Sequence, residues 1–248
     1  MRFPDALRVL ETGTAAAVFA AVFLGGNQLR PLRGVLRDPH NLLSFSSGIA
    51  VSYVFVHVMP EISGARETFV ASTSLPTRFE GMVVYVFALV GFISFYSLDH
   101  LSRMARKADA EHRAVPDVNI KVGSFAAYVG LISYLLVNSL DNSPQASALY
   151  AVAMAVHFLT TDHALREECG DDYRRRGHYI LAGAAVLGWA VGLAVVLPRD
   201  VLALMLGFLS GGVIVNAAIA ELPSDKGGRL LPFVAGAIIY AAILVPLG

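Results

Sequence analysis

The sequence predicts an all-α integral membrane protein with eight transmembrane helices, and three observations predict it. Eight long apolar runs carry almost no ionised side chains. Each is long enough to cross a hydrocarbon core of about 30 Å as a helix. Nearly all Lys and Arg lie between the runs. The chain is 56% hydrophobic and 15% charged, with mean hydropathy +0.61, where a soluble domain carries about 25% charge. Lipid cannot solvate bare backbone groups, so each run must satisfy its own N–H and C=O as a helix. The predicted spans are 9–29, 41–60, 81–100, 122–141, 145–165, 177–198, 200–221 and 229–248, forming one transmembrane domain over 1–248.

Span 1 rests on the run Thr12–Leu29. Arg2 and Arg8 before Thr14–Leu24 also suit a cleaved signal peptide, but Glu11 interrupts that pattern and cleavage would leave Arg30, Arg33 and Arg37 outside, so an anchor helix is expected. Span 2 (Asn41–Pro60) holds Phe45-Ser46-Ser47-Gly48, then eleven residues, then Pro60. Span 3 (Gly81–Leu98) ends at Asp99 and His100, and span 4 (Val122–Leu140) ends at Asn138 and Asp141. Span 5 (Asn142–Thr161) carries His157. Span 6 (Gly177–Pro198) has Gly188 and Gly192 four apart, and span 7 (Val201–Ala220) has Gly207 and Gly211. Such pairs let membrane helices approach closely. Span 8 is Leu230–Gly248.

Basic residues set the expected orientation. With alternating loops, one side holds Arg2, Arg8, Arg66, Arg78 and Arg199, and the other holds the remaining 14 of the 19 Lys and Arg. Both termini are therefore expected outside, in a multi-pass protein of the cell membrane. Zero net charge gives no reason to expect a nucleic-acid partner. A single cysteine, Cys169, excludes an internal disulfide and any CxxC metal site.

Span 7 repeats the pattern of span 2. Phe208-Leu209-Ser210-Gly211 is followed by eleven residues and Pro223, so both read F-x-S-G-x11-P, with Glu61 and Glu221 adjoining the apolar ends. The two spans run in opposite directions in the expected topology, as copies do in inverted-repeat transporters.

At these residues the chain resembles the ZIP (Zrt/Irt-like) metal transporters. The likeness lies in SFSSGIAVSYVFVHVMPEI, with Ser47, Gly48, His57, Pro60 and Glu61, in VLGWAVGL of span 6, and in GFLSGGVIVNAAIAELPSD, with Glu221 and Pro223. The resemblance implies eight helices in a 3+2+3 inverted-repeat bundle, both termini outside, and transport of a divalent cation of zinc type. It implies no covalently bound cofactor and no enzyme activity. The implied partners are the lipid bilayer, the metal ion as substrate, and a second copy of the chain in a homodimer. The family carries His-Asn-x-Pro-(Asp/Glu)-Gly on helix 4 and His-Glu-x-Pro-(His/Glu) on helix 5. Here Asn138 and Asp141 match the second and fifth positions of the first motif, with Val137 in place of the histidine, while another register puts that motif near Ala127–Leu131 with no ligand. His157 matches the first position of the second motif, with Phe158 and Thr161 in place of its acidic or ligand residues. The implied site is reduced.

The residues themselves offer a candidate metal set. An ionisable group in lipid costs about 2.5–3.5 kcal/mol on insertion scales. His157 is the deepest, with Thr160 and Thr161 on its face at i+3 and i+4. Neutral imidazole suits zinc and other borderline cations; a packed histidine bonded to a neighbouring helix is the plain alternative. Asn138 and Asp141 share a face, although Asp141-Asn142-Ser143-Pro144 also reads as a turn. Asp162 and His163 end span 5 beside Asp99 and His100 of span 3, and His57 and Glu61 stand one turn apart on span 2. Two rival functions remain open: a ZIP-fold protein that carries another solute or serves as a partner subunit, and an intramembrane zinc hydrolase. The latter needs about three histidines around one zinc. His57, His100, His157 and His163 lie at different depths, and no HExxH or GxSxG motif is present.

Overall fold

The computed structural model describes residues 6–26, 39–73, 79–109, 117–138, 144–220 and 229–245. Every regular element among them is helical: α1 (Ala6–Gly25), α2 (Pro39–Tyr53), a π-helical turn π1 (Val54–Val58), α3 (Met59–Ser72), α4 (Glu80–Asp109), α5 (Asp117–Val137), α6 (Pro144–Asp172), a second π turn π2 (Tyr173–Gly177), α7 (His178–Ala194), α8 (Arg199–Ala220) and α9 (Leu230–Leu244). Among the described residues, six helical stretches are long and apolar enough to cross a membrane: Ala6–Gly25, Ser47–Ser72, Gly81–Leu101, Ile120–Val137, Tyr150–Ala194 and Arg199–Ala218. Leu230–Leu244 is a shorter apolar helix.

The stretch Tyr150–Ala194 takes in two of the expected spans. They part at Gly170, whose φ of 56° and ψ of −132° break the helical path. An added Cβ there meets nothing within 4 Å, so any cost of a side chain is backbone strain alone. Gly170→Ala is expected to cost about 1–3 kcal/mol, read as a lower unfolding midpoint in detergent; an unchanged midpoint would show that the kink relaxes freely.

Span 2 runs further than its sequence suggests. Pro60 cannot donate to the helical ladder, and its ring crowds the carbonyl one turn back. The chain widens into π1 just before it, while Tyr53 and Met59 on either side keep right-handed helical angles. The helix then continues through α3 to Ser72, burying Ile62, Ala65 and Phe69 at helical spacing. The segment Glu61–Glu80, expected between helices, is therefore helical as far as Ser72. At the other extreme, α7 ends at Ala194, where Val195 turns extended (φ −124°, ψ 118°) ahead of Pro198.

The chain forms two compact units, Met1–Gly26 with Ile93–Pro198, and Asn27–Phe92 with Arg199–Gly248. In the first, α7 packs on α1 and α5, and α1 also packs on α6. Phe19, Phe23, Ile132, Phe158, Tyr173 and Leu181 are fully buried there. A methyl group on Gly188 would overlap the Gly130 carbonyl oxygen, so α5 and α7 meet backbone to backbone.

In the second unit α2 packs on α9, and α3 on α8. Two of its crossings share one design. A methyl at Gly48 would overlap the Phe233 carbonyl oxygen and come within 2.8 Å of Ala237 N, while one at Gly236 would overlap the Phe45 carbonyl oxygen. A methyl at Gly211 would overlap the Ala88 carbonyl oxygen and come within 2.7 Å of Phe92 N, while one at Gly91 would overlap the Phe208 carbonyl oxygen. Phe45 and Gly48 of α2 thus stand to α9 as Phe208 and Gly211 of α8 stand to α4. Arg229 at the head of α9 bonds Ser44 and Asn41 at the head of α2, and Gly207 and Gly211 of α8 meet Val84 and Ala88 of α4 in rising order, so both crossings are parallel. Only a missing Cβ lets two helix backbones come this close.

Candidate functional site

In the first unit, α6 brings His157 to α5. Successive residues on a helix point about 100° apart, so His157 and its neighbour Phe158 serve different helices. Phe158 packs on Phe19 and Phe23 of α1, with ring centroids at 5.0 and 5.2 Å. The His157 imidazole meets Tyr128 of α5, whose hydroxyl lies 3.1 Å from Nε2. Both side chains are buried. With the imidazole protonated on Nδ1, the Tyr128 hydroxyl donates this bond. Phe95 and Phe125 pack against the Tyr128 ring and hold it in place.

Thr161 lies one turn beyond His157, as its i+4 spacing implies. It is buried, and its hydroxyl has no hydrogen-bond partner among the described residues. A helical threonine ordinarily bonds the carbonyl four residues back, as Thr12 does to Arg8 O at 2.8 Å. Ser133 of α5 is likewise buried with an unpartnered hydroxyl. An unmet buried hydroxyl costs about 1–3 kcal/mol, so each is a standing capacity to hold a polar atom.

Asp162 is arranged differently. It is 2% exposed. Arg166 Nε donates to its Oδ2 at 2.6 Å, and the Tyr173 hydroxyl donates to its Oδ1 at 2.8 Å. The Arg166 guanidinium also donates to Phe23 O at 3.0 Å and lies 5.6 Å from the centre of the Tyr173 ring. Gly26 sits against the carboxylate, with no room for a Cβ. The cluster neutralises its own charge and ties the end of α1 to both sides of the Gly170 kink.

The other expected ligands are dispersed. Asn138 donates through Nδ2 to Gly192 O at 2.9 Å, joining the ends of α5 and α7, and Tyr134 does the same by donating to Val195 O at 3.1 Å. Arg8 donates to Val137 O at 3.0 Å, a cation at a helix C-terminus. His163 pairs with Glu167 at 3.3 Å near the surface. His100 stacks on Tyr96. His57 and Glu61 lie in the second unit, 3.8 Å apart, with His57 stacked on Tyr53 within the π-bulged helix. Asp141 lies outside the described residues. Among the described residues, no three His, Cys, Asp or Glu side chains gather in a way that could hold a metal ion.

Among the described residues, two buried basic side chains escaped the sequence reading. Lys121 counts there only as a loop cation, yet it is buried and pairs with Asp99 at 3.5 Å and with Glu168, drawing α4, α5 and α6 together. His178 is buried with Nδ1 3.3 Å from Tyr173 O. A lysine at the start of an apolar run with acids ending two others was the available signal for the first.

The chain matches no protein-family model and no curated protein. Its chemistry is therefore argued from its own residues. The arrangement provides one deep imidazole with a neighbouring phenol hydroxyl, and an unmet hydroxyl one turn away. Imidazole nitrogen and hydroxyl oxygen are groups that can ligate a polar or cationic atom, and among the described residues no carboxylate joins them.

Proposed function

We propose that the chain is a ZIP-like membrane transporter of divalent cations of zinc type, working with a reduced metal site. The observation that carries this reading is the shared register of the two glycine crossings in the second unit. It supports spans 1–3 and 6–8 as inverted copies around spans 4 and 5, giving eight helices in a 3+2+3 bundle with both termini outside. Such repeats place the substrate site near the bilayer midplane and alternate its access by moving one helix group against another. Span 5 carries His157, and Thr161 gives it an oxygen neighbour. In this reading Nε2 binds the cation when the Tyr128 hydroxyl turns away, and Tyr128 holds the empty imidazole otherwise.

A second reading has its own observation. Tyr128 occupies His157 Nε2, and Arg166 with Tyr173 occupies both oxygens of Asp162. A guanidinium this close to the path opposes a divalent cation, which favours a ZIP-fold protein that carries another solute or serves as a partner subunit.

Uptake of zinc, manganese and cadmium into liposomes, read by an enclosed fluorescent reporter, separates the two. The wild type is expected to take up at least one of these ions, and His157→Ala to slow it by about tenfold or more, in line with the loss of a principal ligand. A folded wild type with no uptake would transfer the assignment to the second reading.

A further inference from the structure

In the first unit, π2 displays Arg174, Arg175 and Arg176 as three consecutive exposed side chains. Both ends of the turn are fixed. Tyr173 is fully buried and donates to Asp162. Gly177 is buried because the Tyr173 ring fills the space its Cβ would need. The chain between these anchors has little choice but to turn its arginines outward.

The helix that follows shows where outward leads. Along α7, Tyr179, Ile180, Val186, Leu187 and Val191 are exposed and apolar. In a membrane-embedded helix this is the face that meets acyl chains. Arg175 and Arg176 stand one turn before Tyr179 and Ile180, on the continuation of that face. A tyrosine at such a boundary suits the depth of lipid headgroups. Arg174 is paired with Asp171 at 3.4 Å. Among the described residues, neither Arg175 nor Arg176 forms an ion pair.

We propose that Arg175 and Arg176 bind the phosphate of an anionic lipid headgroup, with the acyl chains lying along the exposed apolar face of α7. The guanidinium fork matches phosphate oxygens in pairs. Asp172, exposed just before the turn, offsets part of the local field. The pair is therefore better suited to a headgroup held nearby by its own chains, at high effective concentration, than to phosphate in solution. This inference concerns a surface of the first unit and does not depend on which solute the protein carries.

The test uses the full chain in nanodiscs of phosphatidylcholine with a minor fraction of phosphatidylglycerol. Lipid retained after mild detergent release is counted by native mass spectrometry. The wild type is expected to retain phosphatidylglycerol at least about fivefold more than R175Q/R176Q. R175K/R176K is expected to recover much of the enrichment and R199Q to leave it intact, which separates charge from folding damage. Equal retention by the wild type and R175Q/R176Q would overturn the proposal. So would displacement of the lipid by millimolar inorganic phosphate, which would assign the turn to a soluble anion.

Discussion

Gly48→Ala and Gly211→Ala are each expected to destabilise the second unit by about 3 kcal/mol or more, enough to deplete folded protein in the membrane. The added methyl at Gly48 would overlap the Phe233 carbonyl oxygen, and that at Gly211 the Ala88 carbonyl oxygen. Both obstacles are backbone atoms, so no rotamer change can relieve them. The helices must separate, and separation forfeits the close packing that holds membrane helices together without a hydrophobic drive between them. Gly64 is the internal control, because a Cβ there meets nothing within 4 Å. Gly64→Ala is expected to leave the unfolding midpoint unchanged or slightly raised, since alanine is the better helix former. The measurement is folded yield by gel filtration together with the thermal midpoint in detergent. A Gly211→Ala protein as stable as the wild type would remove the equivalence of the two crossings, and with it the support for an inverted repeat.

Those glycines show how far the sequence could be read. The recurrence of F-x-S-G-x11-P singled out Gly48 and Gly211, because a close crossing needs a small residue at one defined place on each helix. Their partners Gly91 and Gly236 carry no comparable motif; the constraint on them is a single missing Cβ amid freely variable apolar neighbours. Helix ends were less legible for a definite reason. Pro60 is a strong terminator by local rules, but the π turn at Val54–Val58 absorbs it and the helix carries on to Ser72.

Around the candidate site the same division holds. The depth of His157 follows from its place in an apolar run, and the shared face of Thr161 from helical spacing. That Tyr128 would meet the imidazole depends on the mutual rotation of α5 and α6, which no local pattern encodes. Asp162 closes an apolar run and so stands as a candidate ligand, but Arg166 one turn on occupies its carboxylate. Tyr173 reaches the same carboxylate only because the chain turns at Gly170. Lys121 is the same case on a larger scale, its two acids lying 22 and 47 residues away.

Removing Arg166 alone should be far more damaging than removing it together with its partner. Arg166→Met leaves Asp162, 2% exposed, with Tyr173 as its remaining donor. A buried charge stripped of its counter-ion typically costs about 3–5 kcal/mol. It also frees Phe23 O at the end of α1. D162N/R166M removes the net charge while keeping the shape of the acid and an acceptor for the Tyr173 hydroxyl, so it is expected to recover more than half of the loss. The double variant also decides what Asp162 does in the proposed transport. If the pair only clamps α1 to the kinked end of α6, liposomes bearing D162N/R166M take up cations at close to the wild-type rate. If Asp162 lies on the cation path, uptake falls in the double variant although the unfolding midpoint has returned. A single Arg166→Met protein as stable as the wild type would mean that Asp162 does not need its counter-ion, and the clamp would have to be abandoned.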